Sequence, residues 1–323
     1  MAPSLTRPQG QLSPAEALQL AQQAPTILKG NPKAFSVSPL VSLFSAAETA
    51  ELWTIYENLI ITCLRTGDDD SAHQCLERLV LRFGGENERV MALKGLIKEA
   101  EATNNNELQE VLKEYEDILQ QDGTNIYIAK RRVALLRSMG KTTEAISALV
   151  WLLEFNPTDA EGWSELSDLY LSQGLYSQAI YALEEVLVLA PNAWNLHARL
   201  GEVTLMAANE TSDGPQKYLA NSVKRFCRSI ELCEDYLRGY YGLKKVTDKI
   251  LAEYAKLKKQ SEGDEFSLPD QQTLTKLNQA ATEKLAEIVR RYGAQDPLWQ
   301  GYNADEIAAA RELLDKSSAE VVR

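Results

Sequence analysis

The sequence contains few of the side chains from which metal centres and disulfide frameworks are built. Its 323 residues include four cysteines and two histidines, and no two cysteines have the C-x-x-C spacing of common zinc sites. Cys63, His73 and Cys75 are close in sequence, but the two cysteines fall on different predicted helices. We therefore predict no metal site, and we expect buried free thiols in a reducing compartment.

Long apolar runs and an excess of basic residues are also missing. The most apolar stretch, residues 40–64, is interrupted by Glu48, Glu51 and Glu57, so it does not predict a membrane span. The first ten residues lack the apolar core of a secretory signal. A net charge of −12 and a pI near 4.9 disfavour nucleic acid and anionic lipid as partners, because both require a basic face. These features predict a soluble, cytosolic protein.

Groups that support catalysis or cofactor binding are equally scarce. The chain has no Gly-rich phosphate loop with a lysine or serine partner, and Gly84-Gly85 predicts a helix stop. Asp68-Asp69-Asp70 lacks the glycine and glutamate of a calcium loop. Its position favours an N-cap followed by first-turn acids. We therefore predict a protein that is not an enzyme and needs no cofactor.

What the chain does contain is a unit that recurs every 34 residues. This interval separates Gly140 from Gly174, Ala145 from Ala179 and Pro157 from Pro191. Small residues at fixed offsets and a closing proline are typical, at this period, of the tetratricopeptide helix pair. Such repeats stack into a solenoid that binds other proteins or peptides.

The repeats occupy the middle of the chain. Residues 45–235 are predicted to form about five tetratricopeptide-like helix pairs, with a polar insertion at residues 209–215. Residues 236–323 are predicted to form further helices, which cover the exposed end of the solenoid. The predicted fold class is an all-α tetratricopeptide-repeat solenoid, a right-handed superhelix of helix pairs with extra C-terminal capping helices. Predicted helices cover residues 47–65, 69–83, 88–103, 106–120, 125–139, 143–155, 160–172, 177–189, 216–232, 237–259, 270–292 and 304–317.

Residues 1–44 are predicted to form a Pro-rich arm in front of the repeats. Ser13 is suited to cap a short helix over residues 14–23, and Pro14 fits its first turn. The rest of the arm is expected to be extended, either disordered or lying along a partner.

The fourth repeat shows the expected packing most clearly. Trp163 is predicted to be buried between the paired helices, where its replacement by alanine would cost about 3–5 kcal/mol. Ser167 and Ala179 are placed where the two backbones cross closely. Gly174 permits the tight turn, and Pro191 ends the unit because it cannot continue a helix.

One charge pattern predicts a binding surface. Residues 130–132 and Arg137 make a basic strip on the first helix of the third repeat, whereas Glu161, Glu165 and Asp168 make the next first helix acidic. If first helices line a groove, these two walls would fix the register of a partner with patterned charge. The alternative, solvated helix surfaces or contacts between neighbouring repeats, has equal weight. The predicted groove contacts are Tyr127, Lys130, Arg137, Glu161, Asp168, Asn195 and Glu202.

Several longer segments go beyond the generic repeat. They are LWTIYE at residues 52–57, YEDILQQD at 115–122, AKRR at 129–132, GK at 140–141, EAI at 144–146 and WSELSDLY at 163–170. With these segments, residues 53–232 resemble the family of subunit 2 of the endoplasmic reticulum (ER) membrane protein complex, which is a tetratricopeptide-repeat family.

The resemblance implies a non-catalytic scaffold, peripheral on the cytosolic face of the ER. In that family the complex inserts tail-anchored and multi-pass proteins into the ER membrane. The repeats would hold cytosolic segments of membrane-embedded subunits and a soluble partner subunit. The alternative is a soluble adaptor or co-chaperone that binds peptide segments. A chaperone's terminal carboxylate is disfavoured, because Ser164 and Asp168 stand where a basic residue and an asparagine would be needed.

Overall fold

The computed structural model describes residues 4–6, 12–30, 50–211, 214–260 and 268–321. Within these ranges the regular structure is helical and no strand is present, which confirms the predicted all-α tetratricopeptide-repeat solenoid class. The chain packs as two compact units, residues 1–154 and 155–323. The predicted boundaries at residues 44 and 235 stay predictions.

The first unit consists of paired helices preceded by two short ones. In its described residues the helices are α1 (Pro14–Ala21), α2 (Ala24–Gly30), α3 (Ala50–Thr66), α4 (Asp69–Phe83), α5 (Glu88–Glu101), α6 (Asn105–Gln121), α7 (Ile126–Ser138) and α8 (Thr142–Phe155). The pairs α3/α4, α5/α6 and α7/α8 are the first three predicted repeats. Their ends agree with the prediction to within two residues where both are described; the predicted start at residue 47 lies outside the described residues.

The N-terminal arm is more structured than the sequence predicted. Ser13 caps α1 in a capping box with Glu16, as expected. The expectation that the rest of the arm is extended is wrong for α2, whose Leu28 is buried in one core with α3 and α4. Arg78 of α4 donates to the Leu28 carbonyl oxygen at 2.6 Å. This part of the arm therefore belongs to the fold of the first repeat, while residues 31–44 lie outside the described residues.

Two local motifs that resembled ligand sites are helix boundaries, as predicted. The Asp68 carboxylate accepts a hydrogen bond from the Ser71 backbone N–H at 3.2 Å, and so caps α4. Gly84 ends the same helix with φ at +85°, a conformation that favours glycine.

The second unit holds two helix pairs followed by a helical C-terminal part. Its described helices are α9 (Ala160–Ser172), α10 (Tyr176–Leu189), α11 (Trp194–Glu210), α12 (Pro215–Leu232), α13 (Leu237–Ala252), α14 (Tyr254–Gln260), α15 (Gln271–Gly293) and α16 (Ala304–Val321), with a short 3-10 turn at Pro297–Trp299. The single helix predicted over residues 237–259 is wrong, because Glu253 leaves the helical conformation (φ −115°, ψ 15°) and separates α13 from α14.

The C-terminal helices extend the core of the last helix pair. Phe226 of α12, Leu243 of α13 and Leu285 of α15 are buried in one apolar cluster. Atypical helices that continue the core in this way cover the open face of a terminal repeat. The insertion before α12 includes residues 212–213, which lie outside the described residues.

The fourth repeat confirms the predicted close crossing of its two helices but not the predicted burial of its tryptophan. The buried Ser167 hydroxyl donates to the Ala179 carbonyl oxygen at 3.0 Å, and Gly174 turns with φ at +70°. Trp163, however, is only partly buried: its indole N–H donates to the Pro157 carbonyl oxygen at 2.8 Å. It lies over the entry to α9, so the cost predicted for a fully buried tryptophan does not apply.

The cysteines are free, and two of them are fully buried. Burial raises the pKa of the Cys63 thiol to about 12 and that of Cys75 to about 12. Cys227 and Cys233 are partly buried. The expectation of buried thiols is therefore confirmed for the first pair only.

Among the described residues, no group of three or more histidine, cysteine or carboxylate side chains is able to hold a metal ion. None of their helices combines the length and the apolar character needed to cross a bilayer.

Candidate protein-binding surface

The predicted groove residues all lie on the first helices of their repeats. Tyr127, Lys130 and Arg137 belong to α7, in the first compact unit; Glu161 and Asp168 belong to α9, and Asn195 and Glu202 to α11, in the second. We use the term first-helix face for the surface that α3, α5 and α7 form in the first unit. The same term applies to α9, α11 and α13 in the second unit.

In the first unit this face is held by an ion pair that reaches a predicted contact residue. Arg89 of α5 donates to the Glu57 carboxylate of α3 at 2.6 Å. Burial raises the pKa of Glu57, and the nearby Arg89 charge opposes that effect. The same guanidinium lies 5.9 Å from the centre of the Tyr127 ring, within cation–π range. Tyr127 is thus oriented from below while its ring stays 44% exposed.

A second, more buried network lies deeper in the same unit. The Tyr115 hydroxyl donates to Glu99 Oε1 at 2.5 Å, and Arg131 Nε donates to the same oxygen at 3.1 Å. Burial would lower the pKa of the Arg131 guanidinium, but the Glu99 carboxylate outweighs it and the pKa is raised. Arg132 pairs with Glu116 at 3.3 Å. Two of the basic side chains in the predicted strip therefore bind neighbouring helices of the chain itself.

In the second unit two of the acidic contact residues, Asp168 and Glu202, are bound by arginines of the following first helices. Arg199 of α11 donates to Asp168 at 3.0 Å and to Glu202 at 3.2 Å. Arg238 of α13 donates to Glu202 at 2.9 Å and lies 4.0 Å from Glu306 of α16. Burial would lower the pKa of Arg238, but the Glu202 charge outweighs it and the pKa is raised.

These pairs form a ladder that runs from one first helix to the next. The carboxylate and the arginine are 31 to 36 residues apart in sequence: Glu57 and Arg89, Glu99 and Arg131, Asp168 and Arg199, Glu202 and Arg238. For Asp168 and Glu202 the structure favours contacts between neighbouring repeats over an unpaired acidic wall. In each unit, a partner on the first-helix face would meet a polar surface that is pre-positioned by ion pairs. Tyr127 is exposed on this face in the first unit, and Glu161 and Asn195 are exposed on it in the second.

The repeat register predicted that the seven contact residues lie on first helices, as they do, but it did not predict the ladder. Arg89, Arg199 and Arg238 were missed because each stands outside the clusters of like charge that drew attention. A carboxylate followed by an arginine at close to the repeat period is the signal that would have found them, since that spacing places both on successive first helices.

A separate pair of cavities lies in the first unit. They measure about 310 and 270 Å³ and share Arg132 and Trp151 in their walls. Glu116, Leu119 and Gln120 of α6 complete one; residues of α8 that include Glu144 and Ser147 complete the other. Both are built mainly from second helices, so none of the predicted contact residues lines them.

His197 gives the second unit a predicted pH dependence. Its Nε2 lies 3.0 Å from the Pro191 carbonyl oxygen, which fixes the proton on that nitrogen, and its buried Nδ1 has no hydrogen-bond partner in the described part of the chain. Burial lowers the pKa of His197, and the charges of Arg225 and Arg228 lower it further. The unfolded chain therefore binds a proton at a higher pH than the folded chain.

The expected result is a loss of stability as the pH falls below the ordinary histidine value of about 6.5. Because His197 contributes to the slope, His197→Gln should flatten the dependence of the urea midpoint on pH between 7.5 and 5.5. Unfolding is monitored with a probe in the second unit. Equal slopes for the wild type and His197→Gln would contradict a lowered pKa of His197 in the folded chain. His73→Gln is the matched control, since His73 is exposed on α4.

Comparison with known proteins shows which family this chain resembles. The model of the EMC2 TPR-like repeat domain matches residues 77–215. The TPR repeat protein oca3 of Schizosaccharomyces pombe is 34% identical over 258 residues, which cover 76% of this chain and 88% of that protein. ER membrane protein complex subunit 2-A of Xenopus laevis is 34% identical over 193 residues, which cover 60% of this chain and 61% of that protein.

Subunit 2 of the same complex from Saccharomyces cerevisiae is 23% identical over 241 residues, which cover 73% of this chain and 78% of that protein. Among solved structures, the C-terminal part of a TPR repeat-containing protein from Cytophaga hutchinsonii matches with a TM-score of 0.50 and 14% identity. That match covers 92% of this chain and 98% of the other, and it supports the repeat fold alone.

Proposed function

This chain belongs to the family of subunit 2 of the ER membrane protein complex, and we propose its function from that family. It serves as a non-catalytic scaffold subunit of that complex, peripheral on the cytosolic face of the ER membrane. Its repeats hold cytosolic segments of the membrane-embedded subunits and a soluble partner subunit. Through them it supports the insertion of tail-anchored and multi-pass proteins.

The observation that carries the proposal is the ladder of ion pairs along the first-helix face of each unit. Ion pairs such as Arg89 with Glu57 and Arg199 with Asp168 fix the relative positions of successive first helices. A surface that is ordered before binding loses less entropy when a partner segment docks on it. This is the property required of a scaffold that must present several contacts in a fixed register.

The seven contact residues remain the proposed contacts on this face. Tyr127 supplies an exposed aromatic ring, and Glu161 and Asn195 supply exposed polar groups. Lys130 and Arg137 supply positive charge on α7. Asp168 and Glu202 act through the ladder, by holding Arg199 in place at the surface.

Reversal of charge on α7 should weaken assembly without unfolding the chain. The double variant Lys130→Glu/Arg137→Glu places two glutamates opposite the acidic groups of a partner that binds the two bases. Like charges that face each other across an interface are costly. We expect recovery of the other subunits to fall about tenfold, the change that 1.4 kcal/mol produces. The measurement is affinity purification of the tagged protein from detergent-solubilised ER membranes, with quantitative mass spectrometry.

The control is Lys113→Glu/Lys224→Glu, which changes the charge equally at two exposed positions of second helices. Circular dichroism should be the same for all three proteins. Unchanged recovery in the α7 variant would remove these residues from the interface. Recovery of soluble chaperones alone with the wild-type protein would instead favour a soluble adaptor and overturn the scaffold function.

A further inference from the structure

The solvent-facing side of α10 carries two largely exposed apolar side chains. Tyr181 is 57% exposed and Val188 is 74% exposed, seven residues apart and therefore on one face of the helix. Single exposed apolar residues are normal on any protein surface. Two exposed apolar residues on one helix face are a stronger sign of a role for that face, because the same positions can be compared across the repeats.

The second, third and fifth repeats show what these two positions need for folding. The equivalent residues are Ser147 and Glu154 in the third repeat and Lys113 and Gln120 in the second, at offsets of 34 and 68 residues. In the fifth repeat the Ser222 hydroxyl donates to the Gly201 carbonyl oxygen at 2.8 Å. This contact is the counterpart of the crossing between Ser167 and Ala179, and it sets the correspondence across the insertion.

With that correspondence, Lys224 and Glu231 stand for Tyr181 and Val188 in the fifth repeat. All eight side chains at these positions are exposed, and the six outside α10 are polar or charged. The fold therefore accepts polar residues at both positions. Repeat packing therefore does not require the apolar pair on α10.

The surroundings of the pair define what would bind there. Trp163 packs edge-on against Tyr181, with ring centres 6.1 Å apart, and so extends the apolar surface at one end. Glu185 lies between Tyr181 and Val188, and its charge raises the pKa of the Tyr181 hydroxyl. The neighbouring Glu184 is already paired with Arg225 at 3.0 Å. The surface is thus an apolar stripe with one carboxylate at its centre.

We propose that Gln178, Tyr181, Glu185 and Val188 form a docking seam for an amphipathic helix of another protein. Their spacing of three, four and three residues is that of positions on a coiled-coil seam, which selects a helix with aliphatic residues at the same period. The carboxylate selects a lysine or arginine at the centre of that helix. Glu184 and Glu185 disfavour anionic lipid and a second copy of this seam, since like charges would meet.

The seam lies on a second helix, whereas the first-helix face is built from α9, α11 and α13, so this inference does not rest on the proposed function. Its test is site-specific photocrosslinking in cells with the full-length tagged chain. Gln178→p-benzoylphenylalanine reports on the seam, and Glu144→p-benzoylphenylalanine at the equivalent position of the third repeat is the control. The expected result is a discrete adduct at residue 178 only. Its crosslinked peptide should have heptad-spaced aliphatic residues and a central base.

Three results would overturn the proposal: no adduct above the control, an adduct with a second copy of this chain, or a crosslinked segment without that pattern. The variant Tyr181→Ser/Val188→Glu installs the residues of the third repeat in the seam. We expect it to melt at the wild-type temperature and to reduce the adduct about tenfold, and Glu185→Lys should reduce it similarly. A melting temperature lowered by several degrees in the double variant would assign the apolar pair to folding and would also overturn the proposal.

Discussion

Replacement of Gly242 by alanine is expected to destabilise the C-terminal part of the second unit by about 2–4 kcal/mol. Gly242 lies in α13 against the ring of Phe226, which is fully buried. A Cβ atom at residue 242 would be 2.0 Å from Phe226 Cε1 and 2.1 Å from Cζ. Because real contacts of that length do not occur, either the ring or α13 must move.

The ring has little room to move. On its other side a Cβ atom at Gly201 of α11 would be 3.0 Å from the same two ring atoms, so Phe226 is held between two glycines on two helices. Overpacking a core typically costs about 1–3 kcal/mol and sometimes more. Alanine regains about 1 kcal/mol of helix propensity over glycine, which is too little to reverse the sign when three helices must separate.

The measurement is hydrogen exchange of the amides in α11 to α13. A chain of two compact units need not unfold in a single step, so one global transition would be ambiguous. Gly293→Ala is the control, since nothing lies within 4 Å of a Cβ at that position. In this variant the protection of the amides in α11 to α13 should be unchanged or higher. Phe226→Leu should recover part of the loss in Gly242→Ala, because leucine lacks the conflicting ring atoms. Strictly additive effects of the two substitutions would show that they do not share this contact.

The helix pairs could be predicted because their packing positions recur. Gly174 and Ala179 have counterparts 34 residues earlier, and the close crossing at Ser167 follows from the small residues that the period requires. The arm helix α2 could not be predicted in the same way. Pro25 stands at its second position, where proline is tolerated in the first turn. A stretch of seven residues gives too little periodicity to outweigh that signal.

The helices that carry the candidate contact residues could be predicted, but the ion pairs of those residues could not. These residues were assigned to first helices because the repeat register determines which helix carries each residue. Their ion pairs depend on side chains that belong to the next repeat, as with Asp168 and Arg199. Local charge patterns do not reveal such a partner, so Asp168 looked like part of an acidic wall. Trp163 was misplaced for a related reason: the repeat pattern gives a position on a helix, not the depth of its side chain.

In the second repeat the close crossing of the two helices is made by different residues than in the fourth repeat. The first helix of the second repeat has Lys98 and Glu99 where the repeat usually has an apolar residue and a small one. The structure places the small residue four positions earlier, at Gly95, and lets the buried ring of Tyr115 lie directly on the backbone there. The Glu99 carboxylate then accepts a hydrogen bond from the Tyr115 hydroxyl. The repeat is therefore fully packed, with a different pair of residues at the crossing.

Replacement of Gly95 by alanine should consequently destabilise the first unit by about 2–4 kcal/mol. A Cβ atom at residue 95 would be 2.1 Å from the Tyr115 hydroxyl oxygen and 2.5 Å from Cε1. Displacement of the ring would break the 2.5 Å hydrogen bond to Glu99 and leave its carboxylate with Arg131 alone. Hydrogen bonds to charged groups contribute about 1.5–3 kcal/mol each, so the loss adds to the steric cost.

Two further variants identify the cause of the Gly95→Ala effect. Gly123→Ala is the control, because the atoms nearest to a Cβ there, the Leu119 carbonyl oxygen at 3.6 Å and the Trp151 ring at 3.9 Å, would make ordinary contacts and alanine should be tolerated. Tyr115→Phe removes the oxygen that makes the shortest contact, so it should cost less in the Gly95→Ala background than in the wild type. Urea denaturation, monitored by hydrogen exchange of the amides in α5 to α7, measures the cost of Tyr115→Phe in both backgrounds. If Tyr115→Phe costs the same in both backgrounds, the Gly95→Ala effect does not act through the Tyr115 hydroxyl.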